Sequence, residues 1–179
     1  MRQGLGMLTL GALAPVVQGA LQVYLPVSMC PQLGVLVVLG LGLAWPNALG
    51  GMLVAALVGF VSDLLSGSLG GQLVLLHLGA YLATRYASAH LDLSGPLSTA
   101  IFAAGFTALY GLALVLSTLF FLPEAGLGWG DLRLLLPVAL LNGLFAPWVV
   151  ALVERLLTRL EAPQFGRRRV FLGPQGSSR

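Results

Sequence analysis

The stretch from Gln3 to Ser62, QGLGMLTLGALAPVVQGALQVYLPVSMCPQLGVLVVLGLGLAWPNALGGMLVAALVGFVS, contains sixty residues and no Asp, Glu, Lys, Arg or His. Soluble domains rarely contain such a stretch, because about a quarter of the residues in an average globular protein are charged. A bilayer has the opposite preference, since each charge at its centre costs about 2.5 to 3.5 kcal/mol on insertion scales. Two more uncharged runs follow, over residues 93–123 and 134–153. The sequence therefore predicts a polytopic helical membrane protein.

Composition and length leave little of the chain for anything other than membrane helices. The chain has 179 residues, of which 58% are hydrophobic and 8% are charged. Because one crossing takes about 20 helical residues, this length suffices for about five to seven crossings. The sequence contains no nucleophile–base pair, no phosphate-binding loop and no metal-ligand spacing, and Cys30 is its only cysteine. We therefore expect no enzyme activity, no cofactor, no metal site and no nucleic-acid partner.

Proline, glycine and polar residues divide the chain into six predicted spans. These cover residues 4–25, 31–45, 47–65, 68–86, 96–122 and 132–157. The predicted fold is all-α, a polytopic membrane protein that forms a compact bundle of six transmembrane helices. Residues 1–159 form the single transmembrane domain, and residues 160–179 form an arginine-rich cytoplasmic tail that is predicted to be disordered.

The second and third spans allow an alternative topology, since residues 31–65 also fit a re-entrant hairpin with one net crossing. The distribution of arginine distinguishes the two possibilities. With six crossings and a cytoplasmic N-terminus, only Arg133 lies outside. The arginines on the inner side are then Arg2, Arg85, Arg155, Arg159, Arg167, Arg168, Arg169 and Arg179. Cytoplasmic loops are enriched in basic residues, so this asymmetry favours six spans with both termini in the cytoplasm.

Three polar positions within or beside the spans are candidates for function. Asp63 ends the first uncharged run. It is either an intramembrane acid that pairs with a partner or carries protons, or a capping acid in a turn at the water interface. The Ser and Gly residues that follow favour the capping role. His77 lies near the middle of the fourth span, where bridging two helices is favoured over a functional role. Asn142, followed by Gly143, places an amide inside the sixth span that needs a hydrogen-bonding partner.

Small residues recur every four positions on two of the predicted helices. One stripe consists of Gly51, Ala55 and Gly59, and the other of the alanines at positions 100, 104 and 108. Small residues at this spacing let helices approach closely, either within the bundle or against a foreign helix. For a partner helix, the candidates are Gly51, Ala55, Gly59 and Asp63. The cluster of Arg167, Arg168 and Arg169 is a candidate for binding anionic lipid, although topology alone also explains it.

The segment from Gly59 to Gly67, GFVSDLLSG, resembles the corresponding turn of the MreD family of rod shape-determining membrane proteins. The resemblance continues through Leu69-Gly70 and through Ala80-Tyr81-Leu82 in the fourth span. The span pattern is similar over nearly the whole chain, whereas the local motif covers about a sixth of it. The MreD family is also similar in outline to the six-helix substrate-binding subunits of vitamin transporters.

This resemblance implies a non-enzymatic scaffold subunit of the machinery for bacterial cell elongation and lateral peptidoglycan synthesis. The implied location is the inner, or cytoplasmic, membrane. The implied partners are an MreC-like protein with one membrane helix, the RodA–transpeptidase enzymes, the MreB cytoskeleton and membrane lipid. The alternative is a substrate-binding subunit of a small-molecule transporter. That alternative predicts a cavity open to the outer face near Asp63, Trp129 and Asp131.

Overall fold

The computed structural model describes residues 2–67, 70–93, 95–121 and 129–160. Over these ranges the protein is all-helical, with six α-helices, a short 3-10 turn at Val27–Met29 and no strand. The helices are α1 (Arg2–Gln22), α2 (Leu33–Ala44), α3 (Ala48–Ser66), α4 (Gln72–His90), α5 (Pro96–Phe121) and α6 (Trp129–Leu160). The sequence predicted six helices in this order.

Four helices are long and apolar enough to cross a membrane, which supports a membrane protein. They are α1, α3, α5 and α6. The second helix has 12 residues, so it reaches only about 18 Å at a rise of about 1.5 Å per residue. The fourth helix has 19 residues, but its glutamine, arginine and two histidines make it less apolar than the other four.

The short α2 lies at the centre of the molecule and packs against all five other helices. All nine residues from Gly34 to Gly42 are buried. A helix that is apolar on every side is stable only when it is enclosed, which explains this position. The lone cysteine, Cys30, precedes α2 and is 2% exposed, so it serves as a small buried side chain.

Contacts between the helices fix their directions. Gln32, just before α2, contacts Asn142 of α6, and Gly40 contacts Val153 further along α6. The second and sixth helices are therefore parallel, and the contacts of α1 with α3 show that these two helices are parallel as well. Consecutive helices run in opposite directions. The described chain thus runs up and down the bundle, with α1, α3 and α5 in one direction and α2, α4 and α6 in the other.

The start of α1 and the end of α6 lie at the same end of the bundle, because the Gln3 side chain donates to the Leu157 carbonyl at 3.1 Å. Arg85 reaches the same end, where its guanidinium donates to the carbonyls of Trp45 and Pro46 at 2.8 and 2.9 Å. Pro46 in turn lies in a cavity with Gln3 and Glu154. We call this the arginine end, since α6 also brings two of its arginines there.

The predicted boundaries need correction mainly in the fourth span. That span was expected over residues 68–86, whereas α4 begins at Gln72 and ends at His90. It begins later because Gly67 and Gly71, both with positive φ, hold a turn between α3 and α4. The helix continues past Arg85 to His90, and the Arg85 side chain within it donates to the Trp45 carbonyl of the α2–α3 connection.

Candidate functional site

Asp63 joins the end of α3 to the beginning of α4. Its carboxylate accepts hydrogen bonds from the backbone N–H groups of Gly71, Leu73 and Val74 at 2.9, 3.0 and 3.3 Å. Gly71 is the residue just before α4, and Leu73 and Val74 lie in its first turn, where N–H groups have no acceptor within the helix. The predicted capping role of Asp63 is therefore confirmed. However, the residue is only 6% exposed, so the cap lies inside the protein and not at a water-facing turn.

One turn further along α4, His77 bridges to the fifth helix. Its Nδ1 lies 2.8 Å from the Leu73 carbonyl oxygen, and since a carbonyl only accepts, this nitrogen carries the proton. The Tyr110 hydroxyl of α5 lies 3.2 Å from the same nitrogen, and the two rings meet edge to face. This geometry matches the structural role that the sequence favoured for His77.

Two amide side chains cap the beginning of α2 inside the bundle. Asn142 of α6 accepts from the Gln32 N–H at 2.8 Å, and Gln18 of α1 accepts from the Gly34 N–H at 3.2 Å. Asn142 also donates to the Thr107 hydroxyl of α5 at 3.3 Å. The partner that the sequence required for the Asn142 amide is thus the first turn of α2 together with α5.

Together these residues form one region, which we call the buried polar cluster. It comprises five buried residues, Asp63, His77, Thr107, Tyr110 and Asn142, and two half-buried ones at its margin, Gln18 and Gln32. Each of the six helices or their direct flanks contributes to it, and its hydrogen bonds end mainly on backbone groups at helix termini. Such bonds hold helices in register, since an unpaired polar group in an apolar interior costs several kcal/mol. Four of these residues were not predicted from the sequence, because their only signal was a polar atom in an apolar segment: Gln18, Gln32, Thr107 and Tyr110.

The stripe of Gly51, Ala55 and Gly59 packs against the chain's own α4. A Cβ atom on Gly59 would lie 2.5 Å from Val74 Cα, so the two backbones almost touch there. Gly51 faces the Tyr81 ring, and Ala55 is fully buried. The face that we expected to receive a foreign helix is therefore covered by α4, and Ala55→Leu would disrupt the bundle.

The remaining predicted positions have separate locations. On the fifth helix, Ala100 and Ala104 contact Gly143 of α6, so this stripe also packs within the chain. The arginine cluster at 167–169 and the side chains of Trp129 and Asp131 lie outside the described residues.

Among the described residues, no group of three His, Cys, Asp or Glu side chains is close enough to hold a metal ion. Two buried hydroxyls on α4, those of Tyr81 and Thr84, have no hydrogen-bonding partner in the described part of the chain.

Comparison of the chain with protein-family models, with curated proteins and with solved structures found no match.

Proposed function

We propose that this protein is a non-enzymatic scaffold subunit of the bacterial cell-elongation machinery, located in the cytoplasmic membrane. In this role it binds an MreC-like protein with one membrane helix, and through it the RodA–transpeptidase enzymes and MreB. The observation that carries the proposal is the resemblance of the segment Gly59–Gly67 to the MreD family, which continues through Leu69-Gly70 and Ala80-Tyr81-Leu82. Residues 59–66 form the end of α3, which the Asp63 cap and the close approach of Gly59 hold against the beginning of α4.

The arrangement of the helices supports six crossings. Consecutive helices alternate in direction, and the beginning of α1 and the end of α6 lie together at the arginine end. The short α2 completes its crossing together with residues 23–32, which lead from the end of α1 to a helix start capped inside the bundle. Non-helical backbone is tolerated at membrane depth where protein surrounds it. By the positive-inside rule, the arginine end faces the cytoplasm.

The buried polar cluster supports a structural role over a catalytic or transport role. Its hydrogen bonds satisfy helix ends, so these side chains are engaged within the fold. The transporter alternative needs Asp63 to line an open cavity, whereas its carboxylate is buried against the first turn of α4. For this reason we favour the scaffold.

The decisive experiment is depletion of the protein in its native rod-shaped host, followed by microscopy. We expect cells to lose their rod shape and to regain it when the full-length chain is supplied from a second gene copy. A tagged copy, extracted in mild detergent, should copurify an MreC-like single-span protein. Cells that remain rods after depletion, together with no such partner in the purified sample, would rule out the elongation role.

A further inference from the structure

A long apolar groove separates α4 from α5. The two helices make few contacts with each other, since α4 packs mainly on α3 and α2, and α5 packs mainly on α6. The groove has a volume of about 410 Å³ and none of the described side chains that line it carries a charge. Its α4 wall includes Leu75, Gly79 and Ala83, and its α5 wall includes Leu109 and Ala113.

One end of the groove is polar and closed. There, the Gln72 amide of α4 donates to the hydroxyls of Ser117 and Thr118 on α5 at 2.7 and 3.0 Å. These bonds join the two helices at the end opposite the arginine end. The groove runs from this point to Ala83, near the middle of the bundle. It is therefore apolar along its length and has hydrogen-bonding groups at one end only.

The length of the groove indicates what fills it. From Gln72 to Ala83 the helix rises about 17 Å, close to half of a hydrocarbon core of about 30 Å. A lipid acyl chain spans one leaflet, is apolar along its length and carries an ester at one end. The groove has the same length and the same pattern, with apolar walls and hydrogen-bonding groups at one end only.

We propose that this groove binds one acyl chain of a membrane phospholipid. The chain lies between α4 and α5, with its methyl end near Ala83 and its ester end near Gln72 and Ser117. The groove is as long as one leaflet is deep, and its hydrogen-bonding groups lie at the end where the ester of the chain lies. The proposal rests on the membrane placement of these two helices, but it does not depend on a role in cell elongation.

Gly79 offers a direct test, because a side chain there would enter the groove without a clash. No atom lies within 4 Å of a Cβ built at Gly79, and the same holds for Gly105, which lies on α5 outside the groove. Gly79→Leu therefore fills the groove, and Gly105→Leu is its matched control. The full-length protein is reconstituted in vesicles of phosphatidylethanolamine and phosphatidylglycerol with a trace of phosphatidylcholine that carries a photoreactive diazirine near one acyl terminus.

After irradiation, mass spectrometry locates the lipid adducts. We expect the wild type and Gly105→Leu to carry adducts concentrated on the peptides around Ala83 and Leu109. In Gly79→Leu this signal should fall to the level found on the exposed face around Gly105. Ala113→Leu fills the groove from the opposite wall, and it should have the same effect if Gly79→Leu does not yield a folded protein.

Three results would overturn the proposal. Adducts spread evenly over all exposed faces of the wild type would show that the groove has no preferred lipid chain. Unchanged labelling around Ala83 in both groove-filling variants would show that the labelled chain lies elsewhere. A foreign protein segment that crosslinks to the groove in native membranes, in place of lipid, would show that a partner helix occupies it.

Discussion

Asp63 shows how one side chain can hold two helices together. It lies in the last turn of α3, and its carboxylate accepts three hydrogen bonds from the beginning of α4. A negative charge at a helix N-terminus is also favoured by the helix dipole, and burial strengthens this interaction. The α3–α4 turn therefore depends on an interaction that neither helix forms alone.

Replacing Asp63 with alanine should destabilise the protein by about 2 to 3 kcal/mol, because buried N–H groups would lose their acceptor. Asp63→Asn should cost less, since the amide oxygen still accepts hydrogen bonds. The measurement is the free energy of unfolding in mixed detergent micelles. Ser66→Ala is the control, because the Ser66 hydroxyl makes only a long 3.5 Å bond to the Asp63 carbonyl. Equal stabilities for Asp63→Ala and Ser66→Ala would contradict the capping role.

For single residues, the sequence predicted structural roles better than it predicted hydrogen-bonding partners. The Ser and Gly residues after Asp63 correctly indicated a capping acid, but local sequence does not show that the capped helix is the next one. Asn142 was identified as an amide in need of a partner, yet that partner lies 110 residues earlier in the chain. Gln18 was not predicted, because its side chain accepts a hydrogen bond from the Gly34 N–H only once α1 packs beside α2.

The third and fourth helices pack very closely at Gly59. At Gly59 the two backbones approach so closely that a Cβ atom would lie 2.6 Å from the Leu73 carbonyl oxygen. Leu73 is also one of the residues that Asp63 caps. Close backbone packing and the carboxylate cap therefore act on the same turn of α4.

Gly59→Ala should consequently force the two helices apart and destabilise the protein by about 1 to 3 kcal/mol. Gly105→Ala makes the same chemical change in α5, where nothing lies within 4 Å of the new atom. It should be neutral or slightly stabilising, because alanine favours helix more than glycine does. Thermal unfolding of the two purified variants in detergent compares them directly. If both variants unfold at the wild-type temperature, the close α3–α4 contact is incorrect.

The elements themselves were largely predictable, because uncharged runs and proline positions mark membrane helices. The stripe containing Gly59 correctly indicated close packing. The sequence could not show which helix this stripe contacts. In the structure α4 covers this face, which was a candidate site for a partner helix. The late start of α4 was also missed, since the turn before it depends on the conformations of Gly67 and Gly71.

The molecule as a whole has one end rich in arginine and an opposite end where the last helix begins and carries Arg133. The prediction of six crossings rests on this difference in arginine content between the two ends. Alkaline phosphatase, which is active only outside the cytoplasm, should be active when fused after Cys30, Ser66 or Gly126. Green fluorescent protein should fluoresce when fused after Asp92 or at the C-terminus. An external C-terminus would contradict six crossings.

Because Asn142 lies on the last helix, α2 receives this cap only after the ribosome has synthesised α6. The Gln18 amide is synthesised before α2, but Asn142 follows Gln32 by 110 residues. Until the last helix enters the membrane, Gln18 caps the Gly34 N–H of the 12-residue α2, but the Gln32 N–H just before this helix lacks its Asn142 acceptor. Chains that stop before α6 therefore lack the Asn142 cap on the central helix α2. We expect membrane proteases to degrade such chains faster than the full-length protein.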